Sequence, residues 1–303
     1  MAWTVTRSID EFLAAAGGEL RADPVAHTVP LTVLESLRQR GPSAFGDEAP
    51  VYGWHESADA QIDGAFLQTP PHPVLVAALP AGSAADLIAR LSSEAGLPAA
   101  INLSSADEAD FAAAWASATA GSVAATLRSR LFRLERLAPP DPVPPGSARV
   151  AGPADRELLI DWHVAFGAET GTGADVAERT VDDRISHAGL TLWEADGQPV
   201  AMAGSTREVA GVVRIAGVYT VPAERGRGYG GAVTAVASRA ALDAGAAAVV
   251  LFTDRANQTS NALYQRLGYR PVADRVVLQL MPGASAAADT TGPDVTTQAT
   301  TAS

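Results

Sequence analysis

The 303-residue chain contains no cysteine and no lysine. Without cysteine there can be no disulfide framework, zinc thiolate site or thiol nucleophile, so a covalent acyl-cysteine intermediate is excluded. Without lysine every basic side chain is arginine, which removes the phosphate-gripping lysine of a Walker-type loop and all Schiff-base chemistry. Positive charge is scarce altogether: 22 arginines face 34 acidic residues, for a net charge of −12. That balance argues against a nucleic-acid partner, since binding to phosphate backbones rests on clustered Lys and Arg. No apolar run approaches the roughly 20 residues of a membrane-spanning helix. The N-terminus, MAWTVTRSIDEFLAAAGG, lacks a basic region followed by a long apolar core and reads as a short amphipathic helix rather than a signal peptide. These absences predict a cytoplasmic protein without a membrane partner.

What is present is enough chain, 47% apolar, for two packed domains. Apolar periodicity predicts two helices between Ile9 and Arg40, then strands at Val51 to Glu56, Gly64 to Thr69 and Val74 to Leu79. A helix from Ser83 to Leu91, a strand at Ala99 to Leu103, a helix from Asp107 to Ala118 and a strand at Arg130 to Leu137 follow. The second half repeats that order. Its helices are Leu158 to Phe166 and Val176 to His187, its strands Leu190 to Ala195, Pro199 to Thr206 and Val212 to Val221. The helix Ala232 to Asp243, the strand Ala247 to Thr253, a further helix and a last strand from Gly268-Tyr269 complete it. The economical reading is one α/β unit repeated, with domains at 1–137 and 147–281 joined by the proline-stiffened linker 138–146. Beyond Pro282 the sequence is small and polar, with no large apolar residue to offset ordering entropy, and predicts a disordered tail over 282–303.

The chemistry concentrates in Ile215 to Gly231, IAGVYTVPAERGRGYGG. A β-branched run stopped by Pro222 is followed by Arg225, Gly226, Arg227, Gly228, Tyr229, Gly230 and Gly231 ahead of an Ala-rich helix. Strand, glycine loop and helix N-terminus make an anion site. Glycines let the backbone approach a ligand, the first helical amides have no intrahelical partner, and the dipole favours negative charge there. Two arginines beside those amides indicate phosphate.

The spacing R-x-x-G-x-G at Arg225, Gly228 and Gly230, preceded by V-Y-T-V-P, resembles the acetyl-coenzyme A loop of the GNAT (Gcn5-related) N-acetyltransferase family. Ala246 to Val272 strengthens the resemblance with a strand, a polar turn containing Asn257, a helix carrying Asn261 and Tyr264, and the return strand at Gly268-Tyr269. Together the two motifs carry it over Ala148 to Leu280, most like two-domain bacterial members. The resemblance implies an α/β class of tandem acyl-CoA N-acyltransferase folds, each a mixed sheet with splayed parallel strands flanked by helices. It implies direct transfer of an acetyl group from acetyl-CoA, or another acyl-CoA, to a primary amine in a ternary complex, without a metal. Val218, Tyr219 and Thr220 would lie along the pantetheine arm, Arg225 to Gly231 around the pyrophosphate, and Asn257 and Asn261 near the cofactor. Tyr264 would be the general acid near the thioester sulfur. The Glu that histone-type members carry on the Gly-loop strand is replaced here by Arg214, leaving Glu169, Glu194, Glu208, His163 and His187 as candidate bases, with Glu169 first.

The first half has LPAGSAAD, Leu79 to Asp86, where the second has VPAERGRGYGG. With one glycine, no arginine and an acid, it reads as a degenerate GNAT-like domain without a cofactor site. Two rivals stand beside the transferase. Gly226, Gly228 and Gly231 also fit G-x-G-x-x-G, with Asp254 where a nicotinamide-binding Rossmann fold needs an acid, but Pro222 to Arg225 intervene and too little chain follows for that sheet. A non-catalytic acyl-CoA sensor or scaffold would use the same cleft. The acceptor is expected to be a small-molecule or peptide amine, and the protein a monomer or homodimer.

Overall fold

A computed structural model describes residues 2–94, 96–171 and 177–283. The first repeat runs β1 (Ala2–Thr6), α1 (Ile9–Ala22), α2 (Thr28–Arg40), β2 (Val51–Glu56), β3 (Ile62–Gln68), β4 (Val74–Ala78), α3 (Ala84–Glu94), β5 (Ala100–Ser104), α4 (Glu108–Thr119) and β6 (Ser122–Leu134). The second runs β7 (Ser147–Val150), α5 (Arg156–Thr170), α6 (Ala177–Ser186), β8 (Leu190–Ala195), β9 (Gln198–Ser205), β10 (Val212–Thr220), α7 (Tyr229–Asp243), β11 (Ala248–Asp254), α8 (Gln258–Arg266) and β12 (Tyr269–Met281). The repeated order is therefore present, with one extra strand opening each copy.

Those extra strands correct the reading of the N-terminus. Ala2–Thr6 is strand, not helix: Trp3 is buried and pairs with His55 on β2. The β-branched residues of WTVT suit a pleated surface, and the helix starts only after Ser8, whose Oγ accepts the Glu11 amide at 3.2 Å as an N-cap. β6 likewise begins at Ser122 rather than Arg130, because its first residues are mostly exposed and give no apolar signal. Val176 and, apart from Pro282 and Gly283, the expected disordered tail lie outside the described residues.

The chain forms two compact units that do not follow its order. Unit one comprises the described residues of Met1–Phe12, Gly46–Thr126 and Val276–Ser303, and unit two those of Leu13–Phe45 and Leu127–Arg275. These are not the contiguous segments 1–137 and 147–281 expected from the sequence, because most of the first repeat's last strand lies in unit two and the end of β12 lies in unit one. In unit one the strand order is β1-β2-β3-β4-β5, with the end of β12 next to β5; β4 and β5 are parallel. Its core gathers Trp3, Phe66, Leu87, Leu91, Ile101, Phe111, Trp115 and Leu278.

In unit two the order is β6-β11-β10-β9-β8-β7, antiparallel except for β10 with β11. Alternation decides which face each side chain takes. Val213, Ile215, Val249 and Leu251 pack with Val233 of α7 and Tyr264 of α8. Val212, Ala248 and Val250 turn the other way, toward Val25. On α5 and α6, Leu159, Trp162 and Val181 cover Leu192, Met202 and Tyr219. Each fully buried Leu or Ile contributes about 1.5–3 kcal/mol to this layering.

Candidate functional site

β10 and β11 pair in parallel from Val212↔Ala248 to Ile215↔Leu251, and the pairing then stops. Yet β10 runs on to Thr220 and β11 to Asp254, so the last turns of both strands part. The cause is local to β10. Its register with β9 jumps between Ala216 and Tyr219, and Gly217 takes φ +68° at the bulge. A bulge bends its strand and increases the twist, and only glycine takes such a φ without strain. β10 therefore leans away from β11, and among the described residues no strand pairs with Ala216 to Thr220 on that side.

Directly beyond the parted strands lies the glycine loop. Pro222–Glu224 makes one 3₁₀ turn, Gly226 and Gly228 take φ +80° and +88°, and α7 starts at Tyr229 with Gly228 as an N-cap that has no side chain to offer. Ala232 is the first residue to enter the helical ladder, donating to Gly228 O at 3.0 Å. The amides of Tyr229, Gly230 and Gly231 are thus the orphan donors of the first turn. Not every glycine is there for a ligand. A side chain at Gly231 would come within 3.0 Å of Leu263, so that glycine serves the packing of α7 on α8, whereas space around Gly226 is open.

Both arginines of the loop already have carboxylate partners. Arg225 donates from Nε to Thr220 O at 3.0 Å, grips Glu169 at 2.6 and 2.9 Å, and lies 5.6 Å over the Tyr219 ring. Arg227 pairs with Glu224 at 2.9 Å. Glu169, the first of the candidate bases, stands at the end of α5 as the counter-ion of Arg225. The other carboxylates each have one oxygen with a partner. Glu194 accepts from Arg149 at 2.7 Å and Glu208 from the Gly211 amide at 2.6 Å. Both nitrogens of His187 face main-chain carbonyls, of Asp183 and Ser205.

The two asparagines also have internal duties. Asn257 caps α8, accepting the Ser260 amide at 3.0 Å. Asn261 accepts from Thr253 at 2.7 Å and donates to the carbonyls of Asp254, Arg255 and Asn257. Its amide ties together the turn after β11. Tyr219 is buried against Trp162, ring centroids 5.8 Å apart, so only its main chain can serve the parted edge, whereas Val218 and Thr220 are partly exposed.

Tyr264 sits on α8 against the parted strands' core, 7% exposed, its ring edge-on to Tyr269 at 6.1 Å. Tyr269 gives its hydroxyl to Ser238 at 2.6 Å; no partner is seen for that of Tyr264 among the described residues. Burial, with Tyr269 adjoining, pushes the Tyr264 pKa well above its ordinary value, so it stays a neutral O–H donor at every physiological pH.

On the face of α5 and α6, the bulge carries groups that the sequence reading did not assemble. His163 on α5 donates from Nδ1 to Leu159 O at 2.8 Å and accepts at Nε2 from Arg184 of α6 at 2.9 Å. Burial and the neighbouring guanidinium pull its pKa down to about 4. Arg184 also reaches Ala216 O at 3.4 Å. The signal was available: Ala177, Val181 and Arg184 fall on one helical stripe, and the first two are buried.

Residues 157–269 match the model of the Acetyltransferase (GNAT) family. The chain therefore carries a GNAT domain in its second half, with the mixed, flanked sheet of acyl-CoA N-acyltransferase folds. Among solved structures, a GCN5-related N-acetyltransferase from Sphaerobacter thermophilus is similar at 16% identity, over 93% of this chain and 96% of that one, with a TM-score of 0.60. One from Kribbella flavida is 25% identical over 75% of this chain and 89% of that one, with a TM-score of 0.51. A tandem GNAT protein from the clavulanic acid biosynthesis pathway is 14% identical over 93% of this chain and 99% of that one, with a TM-score of 0.55, consistent with two GNAT-like units here. No curated protein matches the chain. Among the described residues no helix is long and apolar enough to cross a membrane, and no group of three metal-ligating side chains occurs.

Proposed function

We propose that the protein is an N-acyltransferase that moves an acetyl group from acetyl-CoA to a primary amine by direct attack in a ternary complex. The observation that carries this reading is the alignment of two features in unit two: strands that part after Ile215 and Leu251, and an uncapped first turn of α7 directly beyond. An extended, amide-bearing arm ending in phosphates fits the pair, because free strand edge and orphan amides are what such a ligand satisfies. The backbone of Val218 and Thr220 would hold the arm, and the amides from Gly226 to Gly231, with Arg225 and Arg227 turning from their carboxylates, would hold the pyrophosphate.

Bound acyl-CoA supplies an activated thioester; the chain supplies placement, which can account for most of the rate. Tyr264, protonated and buried, donates a hydrogen bond to the departing sulfur. Its raised pKa makes full proton transfer to a thiolate of ordinary pKa near 8.5 uphill, so its contribution is stabilisation of developing charge. Without ligand each carboxylate named as a candidate base has a hydrogen-bond partner, so the reading gives the amine's proton to water; Glu169, released when Arg225 turns to the pyrophosphate, is the alternative acceptor that Glu169→Gln tests.

The lack of a free base also suits an acyl-CoA sensor, and thiol release separates the two. With acetyl-CoA and an amine panel, Tyr264→Phe should lower kcat by about 10²-fold and leave acetyl-CoA affinity nearly unchanged. A cleft that binds acetyl-CoA but releases no thiol with any amine would favour the sensor. Acetyl-CoA at about one hundred times its Kd should stabilise the fold by roughly 2.7 kcal/mol. The same shift from NADH instead would overturn the cofactor.

A further inference from the structure

Two arginines at the bulge of β10 have no carboxylate partner among the described residues. Arg184 donates only to neutral acceptors, the His163 imidazole at 2.9 Å and the Ala216 carbonyl at 3.4 Å. Arg214, on β10 itself, reaches only the hydroxyls of Thr28 at 3.4 Å and Thr32 at 3.1 Å on α2. Both arginines are half-buried, and desolvation pulls each pKa down to about 10; for Arg214 the charge of Arg184 adds to the effect. The nearest acid noted beside them, Asp183, is shared with Arg207 at 3.6 Å and His187 at 4.0 Å.

A half-buried cation without a counter-ion is destabilising, and two that repel each other are more so. The sheet beneath is shaped to keep one of them there. Gly204 and Ala216 are paired across β9 and β10, and a side chain at Gly204 would run into Arg184 Nη1. One at Gly217 would come within 2.9 Å of the same atom and 3.4 Å of His163 Nε2. Gly217 answers to its positive φ and Gly204 to the Ala216 carbonyl, 2.7 Å from a side chain there, and together they leave the sheet bare under a guanidinium just past the point where β10 and β11 part. A purely structural arginine would be expected to close an ion pair, as Arg149 does with Asp155 and Glu194 in the same unit.

We propose that the acceptor carries a carboxylate beside its amine, and that this carboxylate docks on Arg184, with Arg214 behind it, at the β10 bulge. The inference rests on the acyltransferase reading and narrows its substrate to amino-acid-like molecules, against the cationic amines that the chain's net charge of −12 would favour. Arg184 has a planar fork of donors suited to a carboxylate. On turning to it, the guanidinium would release His163 Nε2, leaving a neutral imidazole facing the incoming amine.

Thiol release would be measured with α-, β- and γ-amino acids and their carboxamides. In parallel, the N-acetylated acids and their amides would be titrated calorimetrically into protein saturated with CoA. Acids should exceed amides by at least about 10-fold in kcat/KM and in affinity, since hydrogen bonds to charged groups are the stronger class. Arg184→Gln should erase that preference and leave acetyl-CoA binding intact; Arg214→Gln, a second variant should the first fail to fold, should reduce it. Turnover of amides and acids alike, or better turnover of amides, would overturn the carboxylate site and leave the transferase standing. Arg184-dependent binding of the acids with no thiol released from any amine would overturn the transferase and leave the anion site.

Discussion

Unit one and unit two contain the same strand, loop and helix, and differ in what occupies the helix N-terminus. In unit two, α7 begins with a glycine cap and orphan amides, facing a gap between parted strands. In unit one, β4 and β5 pair only at Val74↔Ile101 and Leu75↔Asn102, so a similar parting exists. There the chain has filled the position itself. Asp86, in the first turn of α3, accepts the Trp3 amide at 3.0 Å, and the Trp3 indole donates to Ser83 O at 3.3 Å. An acid at the start of a helix stabilises it, as a bound phosphate would. The lesson is that a helix N-terminus favours negative charge, and one unit draws on its own side chain where the other has none in its first turn.

The comparison breaks most sharply if unit two is made to resemble unit one. Gly230→Asp puts a carboxylate in the first turn of α7 and should weaken acetyl-CoA by at least about 10²-fold in calorimetry, by repulsion of phosphate and by crowding Thr220 Oγ1, which lies 3.2 Å from the new Cβ. Unchanged affinity would mean that the phosphates lie elsewhere.

The buried histidines sharpen it next. His55 of unit one faces the Asp63 carboxylate at 2.6 Å, whereas His163 of unit two faces a cation. Because the folded pKa of His163 lies near 4, below the ordinary 6.5, the unfolded chain binds the proton more readily. Its contribution is complete above pH 6.5 and is lost as pH falls toward 4, on the order of 2 kcal/mol. Chemical denaturation across that window should show the loss, and His163→Leu should shrink it.

Asp86→Ala tests the filled site. It strips the Trp3 amide of its acceptor and should cost about 1–3 kcal/mol, read as a lower denaturation midpoint, with no effect on acetyl-CoA affinity. The smallest effect is expected of Glu169→Gln, which removes the counter-ion of Arg225. Exposed pairs contribute little, so kcat should stay within about 3-fold of the parent. A fall of 10²-fold would restore Glu169 as a base.

Much of this was legible in the sequence because backbone chemistry writes itself in residue types. Gly226 and Gly228 announce positive φ, Pro222 announces the end of β10, and Ala-rich periodicity announces α7. The parting of β10 from β11 was implied only by resemblance, since a bulge at Gly217 looks like any glycine in a strand. Side-chain duties were less legible. Asn261 and Glu169 carry polar groups suited to a ligand, and only the fold reveals that a carbonyl cluster and Arg225 have claimed them. Arg184 was overlooked, and Arg214 noted only as a missing Glu, for the complementary reason that a sequence lists charges without saying which lack a partner. β1 was misread because five strand residues run straight into a well-capped helix.

The way the chain is shared between the units bears on its divisibility. Severing it in the proline-rich connector at 138–146 would deprive unit two of α2 and most of β6, and unit one of residues 276–281. Neither fragment would own a complete sheet, so neither half of the sequence is a unit by itself.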